Sequence, residues 1–468
     1  MTEYDVIIVG AGPVGENVAD RIVQGGLTAV IVESELVGGE CSYWACMPSK
    51  ALLRSGHALR AARRVAGAAE AVGELDVAAV LKRRDSFTHD WDDSSQVEWL
   101  QSAGIDLVRG HGRLSAERQV TVEAADGTST VLTARQAVVL ATGSAALVPD
   151  IPGLPDVDLW TSREATAAQE VPTSLAIIGG GVVAAEIATA YATFGTEVTV
   201  IARSGILGAF EPIVGDHVTR GLRELGVTVR TGVSPDRVER TEDGVTVHLG
   251  DESIVVQHVA VASGRTPRTD DLGLDTVGLT PGDWLSVDDT LRVEGLDWLY
   301  ATGDVNHRAL LTHQGKYQAR AAGDVIVARA TDAEVDDAAW GTHVASADHA
   351  AVPQVVFTDP EVASVGITEK QAREGCLNIR VVDYDLGSVA GSSLQADGYT
   401  GAARMVVDES RGVIVGATFV GQDVAELVHA ATVAIVGEVP IARLWHAVPS
   451  YPTISEIWLR LLETYGRP

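Results

Sequence analysis

Positive charge is scarce in this chain. Lysine and arginine together number 35 against 64 aspartates and glutamates, a formal net charge of -29 at pH 7. Nucleic acid and anionic membrane surfaces would repel such a molecule, so neither is expected as a partner. Long uninterrupted hydrophobic runs are missing as well. The most membrane-like stretch, Leu175 to Phe194, is broken by Gly179-Gly180-Gly181 and carries Glu186. It reads as strand, turn and helix rather than as a membrane span. The opening Met1-Thr2-Glu3-Tyr4-Asp5 is acidic where a secretory signal would be basic. Cysteine is rarer still, at three residues in 468. Together these absences predict a cytoplasmic protein in a reducing compartment. No group with metal-ligand spacing is visible, and no metal site is expected. What remains is an ordinary globular composition, 46% hydrophobic with 48 glycines and 16 prolines. Its length predicts roughly two to four domains.

Two of the three cysteines lie in Cys41-Ser42-Tyr43-Trp44-Ala45-Cys46, after Gly38-Gly39 and before Pro48-Ser49-Lys50. That spacing can close a small disulfide ring. In a reducing compartment such a pair reads as catalytic rather than structural. It follows a nucleotide-binding pattern, Ile7-Ile8-Val9-Gly10-Ala11-Gly12-Pro13-Val14-Gly15. A redox-active disulfide close behind a dinucleotide fingerprint implies electron traffic between a cofactor and sulfur.

The fingerprint occurs twice. In the first copy Gly10 permits the tight turn, Gly12 lets backbone approach a pyrophosphate, and Gly15 lets the helix lie against the strand. A helix through Asn17 to Gln24 follows, then a strand from Thr28 to Val32 ending in Glu33. The helix N-terminus suits phosphate, and the Glu33 carboxylate suits ribose hydroxyls. The second copy has Gly179, Gly181 and Ala184 in the same register, with a second strand from Glu197 to Ile201. Glu33 lies 23 residues after Gly10, and Ala202 lies 23 residues after Gly179. No carboxylate stands at the second copy's acid position, and Arg203 follows at once. A carboxylate would repel a ribose 2′-phosphate, whereas a guanidinium pairs with it. The first copy thus suits FAD or NAD, and the second NADPH rather than NADH.

Three further runs end a strand on glycine: Ala137 to Thr142-Gly143, Val259 to Gly264-Arg265-Thr266-Pro267, and Trp298 to Gly303-Asp304. Buried parallel strands read as such continuous apolar runs. Asp304 would sit at a strand's C-terminal end, where a doubly wound sheet offers ligand contacts.

The order of these motifs (fingerprint, GGxCxxxxC with PSK, ATG, second fingerprint, GRxP, ATGD) resembles the pyridine nucleotide-disulfide oxidoreductases. That flavoprotein family includes dihydrolipoamide dehydrogenase, glutathione reductase and mercuric reductase. The resemblance implies an α/β fold with two doubly wound Rossmann-type nucleotide-binding domains and a C-terminal α+β dimerisation domain. By motif boundaries, the FAD-binding domain spans 1–148 and 267–340, the NAD(P)H-binding domain 149–266, and the interface domain 345–468. It further implies a homodimer in which each active site borrows residues from its partner. Cys41 becomes the interchange thiol that meets a small-molecule electron acceptor, and Cys46 the thiolate beside the flavin. Lys50, one of four lysines, would lie near the flavin and pair with Glu186. The resemblance assigns FAD contacts to Gly38, Gly39, Gly112, Thr142, Gly143, Asp304, Thr312 and His313. It assigns nicotinamide-cofactor contacts to Val233 and Gly264.

One motif departs from the family. Its disulfide reductases usually end in His-Pro-Thr-x-x-Glu, whose His–Glu pair serves the partner's thiols. Here Pro452, Thr453 and Glu456 are in register and Tyr451 occupies the histidine position. Imidazole takes a thiol proton near pH 7; a phenol of pKa ~10 does so poorly. This argues against an ordinary lipoamide or glutathione reductase. The C-terminal cysteine pair usual in mercuric reductases is also missing, and Cys376 reads as a small buried hydrophobe. The expected reaction passes hydride from NADPH through flavin to the Cys41–Cys46 disulfide, and on to an acceptor at the dimer interface. One alternative is an NAD(P)H-dependent reductase of quinones, metal ions or other non-thiol acceptors, served directly by flavin. A second is a redox-sensing binding protein without significant turnover.

Overall fold

The computed structural model describes residues 2–467. The chain forms two compact units, each gathered from three stretches: Met1–Pro48, Asp85–Ala145 and Arg265–His349, then Ser49–Arg84, Ala146–Gly264 and Ala350–Pro468.

In the first unit, strand Thr2–Val9 lies at the centre of a sheet, parallel to Ala29–Glu33 on one side and Ser129–Leu140 on the other. Asp106–Arg109 and Leu299–Ala301 extend the parallel pairing. The pattern of the central strand explains its position. Val6 and Ile8 join Val18, Ala19 and Ile22 of helix Pro13–Gln24 and Val325 and Ile326 of helix Thr312–Ala330. Ile7 and Val9 face the other way, into a cluster with Leu114, Val120 and Leu299. Successive side chains of a strand alternate in direction, so a sheet covered on both faces needs an unbroken apolar run. Burial of each such side chain stabilises the fold by about 1.5–3 kcal/mol. The two helices meet closely at glycine: a Cβ on Gly315 would lie 2.6 Å from Val14 Cγ2.

The apolar run from Ala137 is only the end of a longer strand, Ser129–Leu140. Its first half pairs antiparallel with Gln119–Glu123, which in turn pairs with His111–Ala116. That half alternates exposed and buried positions, so it lacks the continuous apolar signature of the buried half.

The second unit holds five parallel strands in the order Thr228–Thr231, Glu197–Ala202, Ser174–Ile178, His258–Val261, Leu159–Trp160. Helix Val182–Thr193 follows the Ser174–Ile178 strand and is buried from Ala184 to Tyr191, which accounts for its apolar sequence. The C-terminal part of this unit is a five-stranded antiparallel sheet, ordered Gln354–Val356, Glu361–Gly366, Val413–Gly421, Ala402–Asp408, Ile379–Asp385. Ile435 and Leu461, from helices Leu427–Val436 and Ile457–Tyr465, close its core over Met405 and Phe419. Two mainly parallel sheets, each with helices on one face and antiparallel strands over the other, and a C-terminal α+β layer are therefore present, in keeping with the α/β fold that the resemblance implies. Among the described residues, no helix is long and apolar enough to cross a membrane.

Candidate redox site and nucleotide-binding loops

Cys41 lies in the short helix Gly39–Tyr43, and Cys46 opens helix Cys46–Arg63. Both are half-buried free thiols. The approach to them is tied to the first fingerprint. Gly38, at φ 109°, donates its N–H to the Ala11 carbonyl at 2.7 Å, and a Cβ on Gly39 would stand 2.9 Å from Gly12 Cα. The two sulfurs are hydrogen-bonded to each other, and Cys46 Sγ is 3.4 Å from Thr312 Oγ1. The Cys41 thiol is pushed well above the ordinary thiol range, first by its hydrogen bond to Cys46 and then by burial. Cys46 stands at a helix N-terminus, where aligned peptide dipoles favour negative charge. Between the two, Tyr43 is buried; its hydroxyl accepts from Gln96 at 2.9 Å and its carbonyl from the Trp91 indole at 3.2 Å.

Gly10 and Gly179 are each held at positive φ, 105° and 137°, and a Cβ on either would collide with backbone, at 2.5 Å with Ala141 O and 2.2 Å with Ala262 O. A Cβ on Gly15 would stand 2.0 Å from the Gly10 carbonyl oxygen. Ala184, in the same register, is fully buried without strain. Gly12 and Gly181 border open space, and each caps a helix whose first N–H groups have no side-chain partner. Such N–H groups are ready donors for phosphate. In the first unit, Thr142 Oγ1 and Thr302 Oγ1, at the ends of parallel strands, are buried without a partner. Asp304 accepts from Ser144 Oγ at 2.6 Å, and Ser144 accepts from Arg265 Nε at 2.8 Å. Open backbone beside Gly12 and orphaned hydroxyls at the strand ends fit a dinucleotide such as FAD. Gly112 is buried, 3.0 Å from Val32 Cγ1 to a built Cβ, while Gly143 borders open space and His313 is exposed.

Glu33 accepts from the N–H groups of Ala11 and Glu35, both at 2.7 Å. Arg203 is exposed and, among the described residues, makes no ion pair or side-chain hydrogen bond. Val233 is 37% exposed, and Gly264 accepts from Leu147 N at 3.0 Å.

The helix that starts at Cys46 also carries Lys50. In the second unit Lys50 Nζ lies 2.8 Å from Glu186 Oε2 and 5.0 Å from the centre of the Phe357 ring. The other oxygen of buried Glu186 accepts from Phe357 N at 2.9 Å. The C-terminal motif is arranged differently. Tyr451 is 75% exposed, whereas Glu456 is buried and accepts from Arg460 at 2.9 Å, its Oε2 left without a partner. Cys376, expected to be buried, is exposed in a left-handed turn after helix Glu369–Glu374. Sequence reading missed Trp91 and Gln96, which meet Tyr43 only through contacts distant in the chain, and gave no role to Thr302 and Ser144, which adjoin Gly303-Asp304 and Gly143.

The family described as Pyridine nucleotide-disulphide oxidoreductase matches residues 4–324, and its dimerisation domain matches residues 352–461. A mercuric reductase from Staphylococcus aureus is 29% identical over 97% of this chain and 81% of its own. A dihydrolipoyl dehydrogenase from Halobacterium salinarum is 31% identical over 99% of this chain and 96% of its own. Among solved structures, the HOCl-induced flavoprotein disulfide reductase RclA from Escherichia coli, as its Cu(II) complex, superposes with a TM-score of 0.85. It is 23% identical, and the match covers 99% of both chains.

Proposed function

The chain belongs to the pyridine nucleotide-disulphide oxidoreductases, and from that premise we propose that it carries reducing equivalents from NADPH to the Cys41–Cys46 pair and on to a small-molecule acceptor. Members of this family are FAD-dependent and use NAD(P)H. FAD, when bound, accepts hydride from the nicotinamide and hands electron pairs to sulfur. Gly10, Gly12, Gly15, Gly38, Gly39, Glu33, Gly112, Thr142, Gly143, Asp304, Thr312 and His313 would hold it, in a domain of residues 1–148 and 267–340. Gly179, Gly181, Ala184, Arg203, Val233 and Gly264 would hold NADPH, in 149–266. The free guanidinium of Arg203 supports the choice of NADPH. Lys50, braced by Glu186, would place a cation where negative charge develops. Residues 345–468 would build a homodimer interface; Leu394, Val433 and Val448 are 70%, 55% and 85% exposed there. A cytoplasmic location agrees with the reactive thiol pair.

The observation that carries this reading is the hydrogen-bonded pair of half-buried thiols, Cys41 and Cys46, with the Cys41 thiol pushed well above the ordinary range. A second reading is favoured by the C-terminal motif. Tyr451 stands in solvent, and Glu456 is bound to Arg460 rather than to a base. Quinones, metal ions or other oxidants could then be reduced without thiol chemistry. Steady-state NADPH oxidation against disulfide, quinone and metal-ion acceptors separates the two. Loss of all turnover in Cys41→Ala supports the disulfide route, and retention with quinones or metal ions supports the second.

A further inference from the structure

Behind the loop that carries Asp304 lies a chain of buried amides ending on one carboxylate. Gln318 is fully buried on helix Thr312–Ala330. Its Oε1 accepts from Gly303 N and from Asn306 Nδ2, both at 2.8 Å. Asn306 also donates to the Ala301 carbonyl and accepts from Arg308 N, each at 3.1 Å. At its other end, Gln318 Nε2 donates to Asp348 Oδ2 at 2.9 Å. Gln314, one turn earlier on the helix, donates to Asp348 Oδ1 at 2.8 Å. The reversed amide of Gln318 would set donors against donors, so its neighbours fix its orientation. The Asp348 side chain is 1% exposed. Arg308 Nη1 stands 3.8 Å from its Oδ2, beyond hydrogen-bonding range, while Arg308 Nη2 is held by Asp289 at 2.9 Å and the Val287 carbonyl at 3.0 Å.

These bonds end at two places that the flavin reading needs. Gly303, at φ 78°, opens the turn Gly303–Asn306 that presents Asp304 to Ser144. Thr312 opens the helix that carries Gln314 and Gln318, and its hydroxyl lies 3.4 Å from Cys46 Sγ. We propose that Gln318 and Asp348 are positioning residues for the flavin: they lock the Gly303–Asn306 turn against the start of helix Thr312–Ala330, so that Asp304 and Thr312 stand in place before FAD binds. This rests on the reading of that turn as part of the FAD site. Both residues act through the turn and helix they hold. Order present in the free protein is not lost again on binding, so it appears as affinity. Asp348 falls outside the segment 267–340 given to the FAD domain by its motifs, yet it belongs to the compact unit that ends at His349.

The test is FAD affinity of the full-length protein at pH 8, by titration of the flavin-free form, with the thermal midpoint of that form measured alongside. Gln318→Glu keeps the acceptor for Gly303 N but sets a second carboxylate against Asp348. It should weaken FAD binding by about tenfold or more. Adding Asp348→Asn lets the amide and carboxylate exchange places, so the double variant should return to within about threefold of wild type. Gln314→Met removes a bond to Asp348 without touching the turn; it should lower the thermal midpoint and change FAD affinity by less than about threefold. Unchanged affinity in Gln318→Glu, no recovery in the double variant, or an equal loss in Gln314→Met would overturn the proposal. If Gln318→Glu does not fold, the double variant decides alone: near-wild-type affinity supports the proposal and weak binding overturns it. A wild-type protein that takes up no FAD would instead defeat the reading of the site.

Discussion

At the end of its second strand, the first nucleotide-binding loop carries Glu33, whose carboxylate accepts from Ala11 N at 2.7 Å; the second carries Ala202 and an unpaired Arg203. At the position seven residues past the first glycine, the first loop has Asn17, which donates to its own helix at Pro13 O, 2.8 Å away. The second has Glu186, which leaves its helix to hold Lys50 and Phe357 N. At the third glycine, Gly15 is pressed against Gly10 O, whereas the second loop accommodates Ala184. One backbone pattern thus serves two tasks. The first copy uses its polar groups to tie its own loop and helix together, and the second leaves a cation free among the described residues and uses a carboxylate to brace a lysine.

The largest effect should come from the third glycine. Gly15→Ala places a Cβ 2.0 Å from backbone that cannot swing away, so the variant should bind FAD at least a hundredfold more weakly and be isolated largely colourless. Flavin content per chain checks this, and full occupancy would break the distinction between the copies. Arg203→Ala comes next. It should lower kcat/KM for NADPH by about tenfold to a hundredfold and leave NADH nearly unchanged. An equal loss for both cofactors would mean that Arg203 does not meet a 2′-phosphate. Glu186→Gln should cost about 1–2 kcal/mol of stability in denaturant unfolding, since a buried charge-assisted hydrogen bond to Lys50 becomes a neutral one. An unchanged midpoint would put the bracing role in doubt. Smallest is Ala184→Gly, worth about 1 kcal/mol of helix stability. It should leave KM for NADPH unaltered; a large change would show that the second copy also depends on a tight third position.

Much of this comparison could be read before any coordinates. Both fingerprints, their strands and the cysteine ring are local patterns, and the helices and strands fall where glycine spacing and apolar runs put them. Thr2–Val9 and Ser174–Ile178 end at the expected glycines because a buried parallel strand and a tight turn each leave a strong signature. The contacts that fix Tyr43 between the cysteines were not legible, because its partners Trp91 and Gln96 lie 48 and 53 residues away in the chain. Cys376 misled for the opposite reason. A small apolar residue is usually buried, but this one falls just beyond a capped helix in a left-handed turn at the surface. The antiparallel half of Ser129–Leu140 was hidden because its exposed alternation resembles a loop.

The central claim is that electrons reach Cys41–Cys46 with the charge resting on Cys46. Its most direct test is an anaerobic spectrum of the purified flavin-bound protein after addition of one two-electron equivalent of NADPH. A long-wavelength charge-transfer band should appear in the wild type and be missing from Cys46→Ser. Simple bleaching of the flavin in the wild type, with no such band, would contradict the account.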